Sequence, residues 1–321
     1  MTRRGAALRL LALTCTLGSA LAAGCGGSAT RDPARAAGRS SPETPPPRLV
    51  STEELQALLE TRGASVLDVR PDLGAYLQGH LAGAVHLHTE TLRASDRGIP
   101  NLLLPLGSYR TIFSRLGVDG GRPVVVYSAG EARNIDATYV AWILAGLGHP
   151  DVRVLDGGFG KWELEGRPLT RELPELPAGR FDPSAFQPEH ARLEDVRAAL
   201  GRSGVVLVDA RPPAQYTGQE GPQARRGHIP GAVNHYWQDD LVSGEFARVW
   251  KPLDELRASY RAQGVTPDLE VIAYCNGGLE SSHVHFTLRY LLGYPRVRVY
   301  DGSYTEWSAR DELPVATGPR G

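Results

Sequence analysis

Cys275 closes an apolar, β-branched run, Val271-Ile272-Ala273-Tyr274, and precedes a loop, Asn276-Gly277-Gly278-Leu279-Glu280-Ser281, and a helical pattern from His283 to Leu292. A thiol at a strand end, before a loop with two glycines and then a helix, is placed for nucleophilic chemistry. Loop amides and the start of the helix would point at the sulfur, favour thiolate over thiol and bind an arriving anion. A buried structural cysteine is the competing reading for a lone thiol, and the strand-end position favours function over it. The other two cysteines, Cys15 and Cys25, lie in an N-terminal leader.

That leader opens with Arg3 and Arg4 and continues as an apolar stretch from Leu10 to Ala23, too short to span a bilayer comfortably. Residues 1–25 read as an export signal. They end Leu21-Ala22-Ala23-Gly24-Cys25, which resembles a bacterial lipobox, so Cys25 is the expected lipid attachment point. Ala22, where leucine is commonest, leaves ordinary signal cleavage as the alternative. Residues 26–48 are rich in Gly, Ser, Ala, Arg and Pro and read as a tether with a reach on the order of 25 Å. The expected location is therefore the periplasmic side of a bacterial membrane, and Gly26 is compatible with the outer one. With Cys25 lipidated, Cys275 has no partner for an internal disulfide.

The rest of the chain, about 270 residues, exceeds what one core usually serves, and an internal repeat divides it. Leu67-Asp68-Val69-Arg70-Pro71 recurs as Val208-Asp209-Ala210-Arg211-Pro212, and Gly79-His80-Leu81-Ala82-Gly83-Ala84 as Gly227-His228-Ile229-Pro230-Gly231-Ala232. Further on, Val124 to Ser128 matches Val271 to Cys275, Asp156-Gly157 matches Asp301-Gly302, and Trp162 matches Trp307. An insertion of seven residues around Thr217 to Arg226 accounts for most of the drift in offset, which runs from 141 to 148. The domains are read as 49–170 and 189–317, joined by a Pro- and Glu-rich linker at 171–188. Each alternates helices (Glu53–Leu59 after Thr52 as N-cap, Ala137–Leu147) with short strands (Val66–Val69, Val124–Val126, Val152–Val154). That order predicts an α/β fold with mainly parallel sheets covered by helices on both faces. Ligands of such sheets sit beyond the strand C-termini, where Cys275 falls.

The doubled Asp-x-Arg strand, the Gly-His-Ile-Pro-Gly-Ala segment at 227–232, the strand-Cys-loop-helix unit and Asp-Gly-Ser-Tyr-x-x-Trp at 301–307 together resemble the tandem-domain rhodaneses. The resemblance covers nearly all of residues 49–317. It implies a sulfurtransferase that moves a sulfane sulfur from thiosulfate, 3-mercaptopyruvate or a related donor to a thiol or cyanide, through a persulfide on Cys275, with no cofactor. Asn276 to Ser281 would form the substrate and persulfide loop. Arg211, Arg225 and Arg226 are candidates for contacting the donor. Ser128 stands where the first copy would need its cysteine, which makes that copy a degenerate site and one wall of the cleft. Asp209 with Arg211 and Asp68 with Arg70 are expected as ion pairs at the strand ends, and Tyr304 and Trp307 as packing under the loop.

Two positions depart from the family. Glu280 ends the six residues that start at Cys275, where threonine or arginine is usual, and a carboxylate about 6 Å from a unit negative charge opposes it by roughly 2–3 kcal/mol. Gln215 stands where a donor-binding arginine is expected. Both disfavour thiosulfate, and Arg225, Arg226, His283 or an arginine paired with Glu280 are the candidates for compensation. They also suit the rival reading, a non-catalytic binding or sulfur-carrier protein of the cell envelope. Ser281, in place of a phosphate-gripping arginine, argues against a phosphatase of related loop. The pairs His86/His88 and His283/His285 lack further ligands at metal spacing, so no metal is expected. A net charge of −1 offers no basic field for nucleic acid, and a monomer is the default.

Overall fold

The computed structural model describes residues 46–96, 99–130, 134–175, 178–184, 186, 189–242 and 248–319. The leader, Cys25 and the tether up to Pro45 lie outside them. The first half contains β1 (Arg48–Val50), β2 (Ser65–Asp68), β3 (Ala84–His86), a hairpin of β4 (Arg93–Asp96) and β5 (Ile99–Leu103), β6 (Val124–Tyr127) and β7 (Val152–Leu155). The second contains β8 (His190–Ala191), β9 (Val205–Asp209), β10 (Val233–Asn234), β11 (Glu270–Tyr274) and β12 (Val297–Tyr300). The two five-stranded sheets run β1-β7-β6-β2-β3 and β8-β12-β11-β9-β10, the same topology twice, and every pairing within them is parallel. The α/β fold expected from the repeat is the fold observed.

The register explains why the repeat matters. Tyr127 on β6 stands opposite Asp68, and Tyr274 on β11 stands opposite Asp209. Ser128 and Cys275 are therefore the next residues off equivalent strands. In both halves the Asp-x-Arg motif locks the neighbouring strand end. Arg70 Nε donates to Asp68 Oδ1 at 3.0 Å and Nη2 to the Gly79 carbonyl at 2.7 Å. Arg211 Nε donates to Asp209 Oδ1 at 2.9 Å and Nη2 to the Gly227 carbonyl at 2.7 Å. The glycine that begins each Gly-His segment is thus tied to the strand, and each histidine bonds through Nδ1 to a carbonyl, Tyr76 or Tyr216.

The helix Asn134–Gly146 is buried around its circumference, the signature of a core helix rather than an amphipathic surface one. It packs against the helix Leu279–His285 of the other half, and Thr138 Oγ1 meets Ser282 Oγ at 3.1 Å. One apolar cluster therefore runs through both halves, from Val124, Val126 and Ile143 to Val271, Val284 and Trp250. Each half keeps a second cluster on the far face of its sheet.

Several local expectations differ. Ser51, not Thr52, caps the first helix: its hydroxyl accepts from Glu54 N–H at 3.1 Å, while Thr52 begins the helix Thr52–Glu60. The helix after the cysteine loop starts at Leu279, four residues before the pattern read from His283, and continues as a π-helical turn over Phe286–Leu291. The bounds of the tether and the freedom of the linker differ from what composition suggests. Arg48 already belongs to β1, and the linker residues Phe181 and Phe186 pack edge-on against Phe113 and Trp142.

Asp209 and Arg211 are both sealed from solvent, and breaking a buried pair strands a charge. Asp209→Ala should therefore lower unfolding free energy by about 3–5 kcal/mol, measured by denaturant titration, with Asp209→Ala/Arg211→Met recovering part of the loss.

Candidate active site

Cys275 leaves β11 with about 1% of its surface exposed. Three contacts define its sulfur: Gly278 N–H donates to Sγ at 3.1 Å, Ser281 Oγ lies at 3.6 Å and Ser303 Oγ at 3.9 Å. The chain can curl this tightly because Gly278 sits at φ +94°, a conformation a side chain would resist. Ser303 reaches the same point from the end of β12, holding a left-handed φ of +54° while its hydroxyl accepts from Cys275 N–H at 3.2 Å and donates to the Tyr300 carbonyl at 2.6 Å. The first half carries Gly158 at the matching position, φ +56°, so the second half accepts backbone strain to put a hydroxyl beside the cysteine. Tyr304 N–H closes the turn on the Cys275 carbonyl at 2.9 Å, and both Tyr304 and Trp307 are fully buried beneath it.

Burial pushes the Cys275 thiol above its ordinary value and Glu280 pushes it further, against the Ser281 hydroxyl and the Ser281 and Gly277 amides, which favour thiolate. Glu280 is itself raised, to about 7: burial dominates, hydrogen bonding with the Cys275 thiol pulls it down, Asp209 lifts it, and Arg211 and the Asn276 amide oppose. Among the described residues Glu280 has no ion-pair partner. The charge of Glu280 thus works against the thiolate, while the Cys275 thiol helps to hold the carboxylate.

The remaining loop residues are clamped. Asn276 Nδ2 donates to Gln215 Oε1 at 3.0 Å, and Gln223 Nε2 donates to Asn276 Oδ1 at 2.9 Å. The departure at Gln215 therefore buttresses the loop, and the inserted segment delivers Gln223 to its other side. The arginines singled out from the sequence lie elsewhere. Arg211 is committed to Asp209 and Gly227, Arg225 donates to the carbonyls of Arg310 and Leu313 at 2.6 and 2.5 Å, and exposed Arg226 reaches toward the Gln219 carbonyl. His283 stacks on Trp250 with ring centroids 4.7 Å apart. Burial lowers its pKa to about 4, against Asp240 and with His235, so it is neutral near pH 7 and offsets no anion.

A cation does reach the loop, from a part of the chain that no motif marked. Arg93, on β4 of the first half, donates from Nη1 to the Gly277 carbonyl at 2.9 Å and from Nε to Glu90 at 2.9 Å. Tyr139, on the helix Asn134–Gly146, stands 5.7 Å beneath its guanidinium. Asn101 of β5 covers Gly277 so closely that a methyl group there would lie 2.2 Å from Nδ2. In the first half itself, Ser128 is buried at the strand end, and residues 131–133 of the loop after it lie outside the described residues. No group of three candidate metal ligands gathers among the described residues. His86 bonds to the Arg70 carbonyl and His88 to the Glu90 amide, while His285 faces Glu189.

The family profile of the rhodanese-like domain matches residues 51–165 and again 192–310. The chain is 38% identical over 267 residues to a putative thiosulfate sulfurtransferase of Synechococcus elongatus, covering 81% of this chain and 82% of that one. It is 37% identical over 288 residues to the sulfur carrier protein TtuD of Thermus thermophilus, with 85% and 98% covered. It is 34% identical over 244 residues to the 3-mercaptopyruvate sulfurtransferase of Escherichia coli, with 75% and 84% covered.

The contact at Gly277 gives a direct check on how the hairpin is seated. Gly277→Ala should cost about 1–3 kcal/mol through overpacking, and Gly277→Ala/Asn101→Gly should recover most of it, as read from denaturation midpoints.

Proposed function

Because this chain belongs to the rhodanese-like family, with two copies of its domain, we propose that it acts as a sulfurtransferase in which Cys275 takes a sulfane sulfur from a donor and passes it to an acceptor thiol or cyanide. The observation that carries this is the strand-end thiol with an amide donor on its sulfur and a carboxyl beside it. Loading begins when Glu280 carboxylate accepts the Cys275 proton. The thiolate attacks the donor sulfur, the new S–S bond forms, and the bond from that sulfur to its former carrier breaks. The persulfide is stabilised by the same amides that favour the thiolate, and an acceptor thiolate then takes the outer sulfur and returns Cys275 to its thiolate.

Glu280 separates the donors. With 3-mercaptopyruvate the C–S bond electrons leave on carbon, which must gain a proton to become the methyl group of pyruvate. Protonated Glu280 returns to that carbon the proton it took from the thiol, and the donor's S–H proton stays on the persulfide, so atoms and charge balance. Thiosulfate expels sulfite, which needs no proton, and brings negative charge toward the carboxylate. The α-keto thiol is therefore the donor class this site favours.

A sulfur-carrier role is the second reading, supported by the similarity to TtuD. It shares the loading step and differs only at discharge, so multiple turnovers with cyanide favour catalyst and one turnover favours carrier. We also place the protein on the periplasmic side of a bacterial membrane, held by a lipid on Cys25. The lipobox-like residues 21–25 support this. Cys25→Ser should move the protein from the detergent phase to the aqueous phase in Triton X-114 partitioning; equal partitioning of both forms would sink the anchor.

In thiocyanate assays, Glu280→Gln should reduce turnover of 3-mercaptopyruvate by about 100-fold and that of thiosulfate by much less, because there the lost proton acceptor is offset by removal of a repelling charge. Wild-type loading from the keto thiol should fall below pH about 7, where the carboxyl keeps its own proton, and Glu280→Gln should lack that limb. Stability should move the opposite way. The carboxyl is raised from 4.5 unfolded to about 7 folded, so its contribution is fully present below pH 4.5 and lost as pH rises to about 7. A loading profile identical in both proteins would refute the proton transfer.

A further inference from the structure

Among the described residues, the arginines singled out in the second half are not free to serve its cysteine. Arg211 and Arg225 are bonded to carboxylate and carbonyl oxygens, and Gln215 is bonded to Asn276. A sulfur donor with a carboxylate or sulfonate must nevertheless be held with its negative end near a buried thiolate, next to Glu280. The nearby cation is Arg93, whose side chain is 10% exposed and whose charge acts on Cys275.

Its hydrogen bonding is incomplete in a telling way. A guanidinium has five N–H donors. Nε and Nη2 bind Glu90, and Nη1 binds the Gly277 carbonyl, which leaves one N–H on each terminal nitrogen. Tyr139, below the guanidinium, has a fully buried hydroxyl with no hydrogen-bond partner among the described residues. The Tyr139 ring would meet a side chain at Gly278 at 3.4 Å, and Asn101 would meet one at Gly277. Arg93, Tyr139 and Asn101, all from the first half, therefore lie along the two glycines next to Cys275. The two spare N–H groups, one on each terminal nitrogen, can hydrogen-bond the oxygens of a carboxylate or sulfonate, and Glu90 keeps the arginine aimed.

We propose that Arg93 is the anion anchor of the site: the half without a cysteine supplies the cation that holds the carboxylate or sulfonate of the sulfur donor. Arg93 thereby sets donor specificity by charge, and the cysteine domain alone is an incomplete site. This rests on the sulfurtransferase reading for the identity of the anion, but not for the anchor itself.

The test uses the full two-domain chain, with Arg93→Met and Arg93→Lys. Sulfur loading on Cys275 is followed by intact mass with two anionic donors, 3-mercaptopyruvate and thiosulfate, and one uncharged donor, mercaptoacetone, the keto thiol without the carboxylate. In parallel, pyruvate and sulfite are titrated as protectants of Cys275 against iodoacetamide. Arg93→Met should lower kcat/KM for both anionic donors about 10- to 100-fold, chiefly through KM, leave mercaptoacetone within about twofold, and abolish protection; Arg93→Lys should fall between. An equal loss with all three donors would make Arg93 a structural residue and overturn the proposal. Unchanged protection in Arg93→Met, or no protection of the wild type by either anion, would overturn it too. If the wild type loads no sulfur from any donor but its protection depends on Arg93, the anchor stands and the sulfurtransferase reading fails.

Discussion

For the proposed transfer the sulfur of Cys275 must carry negative charge while almost wholly removed from water. An uncompensated buried anion is costly enough that a group normally stays neutral instead, and the raised thiol reflects that pressure. What makes thiolate accessible is a ring of short-range donors fixed before any substrate arrives: the amides of Gly277, Gly278 and Ser281 and the Ser281 hydroxyl. A donor set that needs no reorganisation is worth most where the dielectric is low. In the proposed loading step Glu280, whose carboxyl is raised to about 7, accepts the thiol proton within the site.

The rest of the molecule holds that ring in place. β11 sits at the middle of the sheet, paired on both sides, so its C-terminal residue cannot drift. The Asp209–Arg211 pair ties the next strand to the Gly227 turn, and Gln215 and Gln223 grip Asn276 from two directions. The first half repeats this frame with Asp68, Arg70 and Gly79 but carries serine at the strand end. Its value to the site comes from its surface. Packing of Asn134–Gly146 on Leu279–His285 brings Tyr139 and the β4–β5 hairpin to the loop glycines. Duplication thus supplies a scaffold whose second copy does chemistry and whose first copy shapes the entrance.

Much of this was legible in the sequence because it depends on local order. The repeated Asp-x-Arg and Gly-His motifs, the period of the strands and the cysteine at a strand end are near-neighbour patterns, and the parallel α/β fold follows from them. Contacts across the duplication are a different matter. Arg93 and Gly277 are 184 residues apart, and an arginine in a hairpin with no motif around it carries no sign of its partner. Gln223 had a weaker signal, since an insertion beside the Gly-His turn lies close to the strand ends. Arg225 and Arg226 drew attention by charge alone, which does not distinguish a side chain bonded to carbonyls from one facing a ligand. Phe181 and Phe186 show the limit of composition, for two aromatic residues in a Pro- and Glu-rich linker suffice to pin it to the core.

In the proposed transfer Cys275 itself receives the sulfur. Intact-mass analysis and peptide mapping of residues 46–321, after one equivalent of 3-mercaptopyruvate and before any acceptor, tests it most directly. A gain of one sulfur is expected on the peptide containing Cys275, absent from Cys275→Ala and removed by cyanide. An unchanged mass in the wild type, or the same gain in Cys275→Ala, would contradict it.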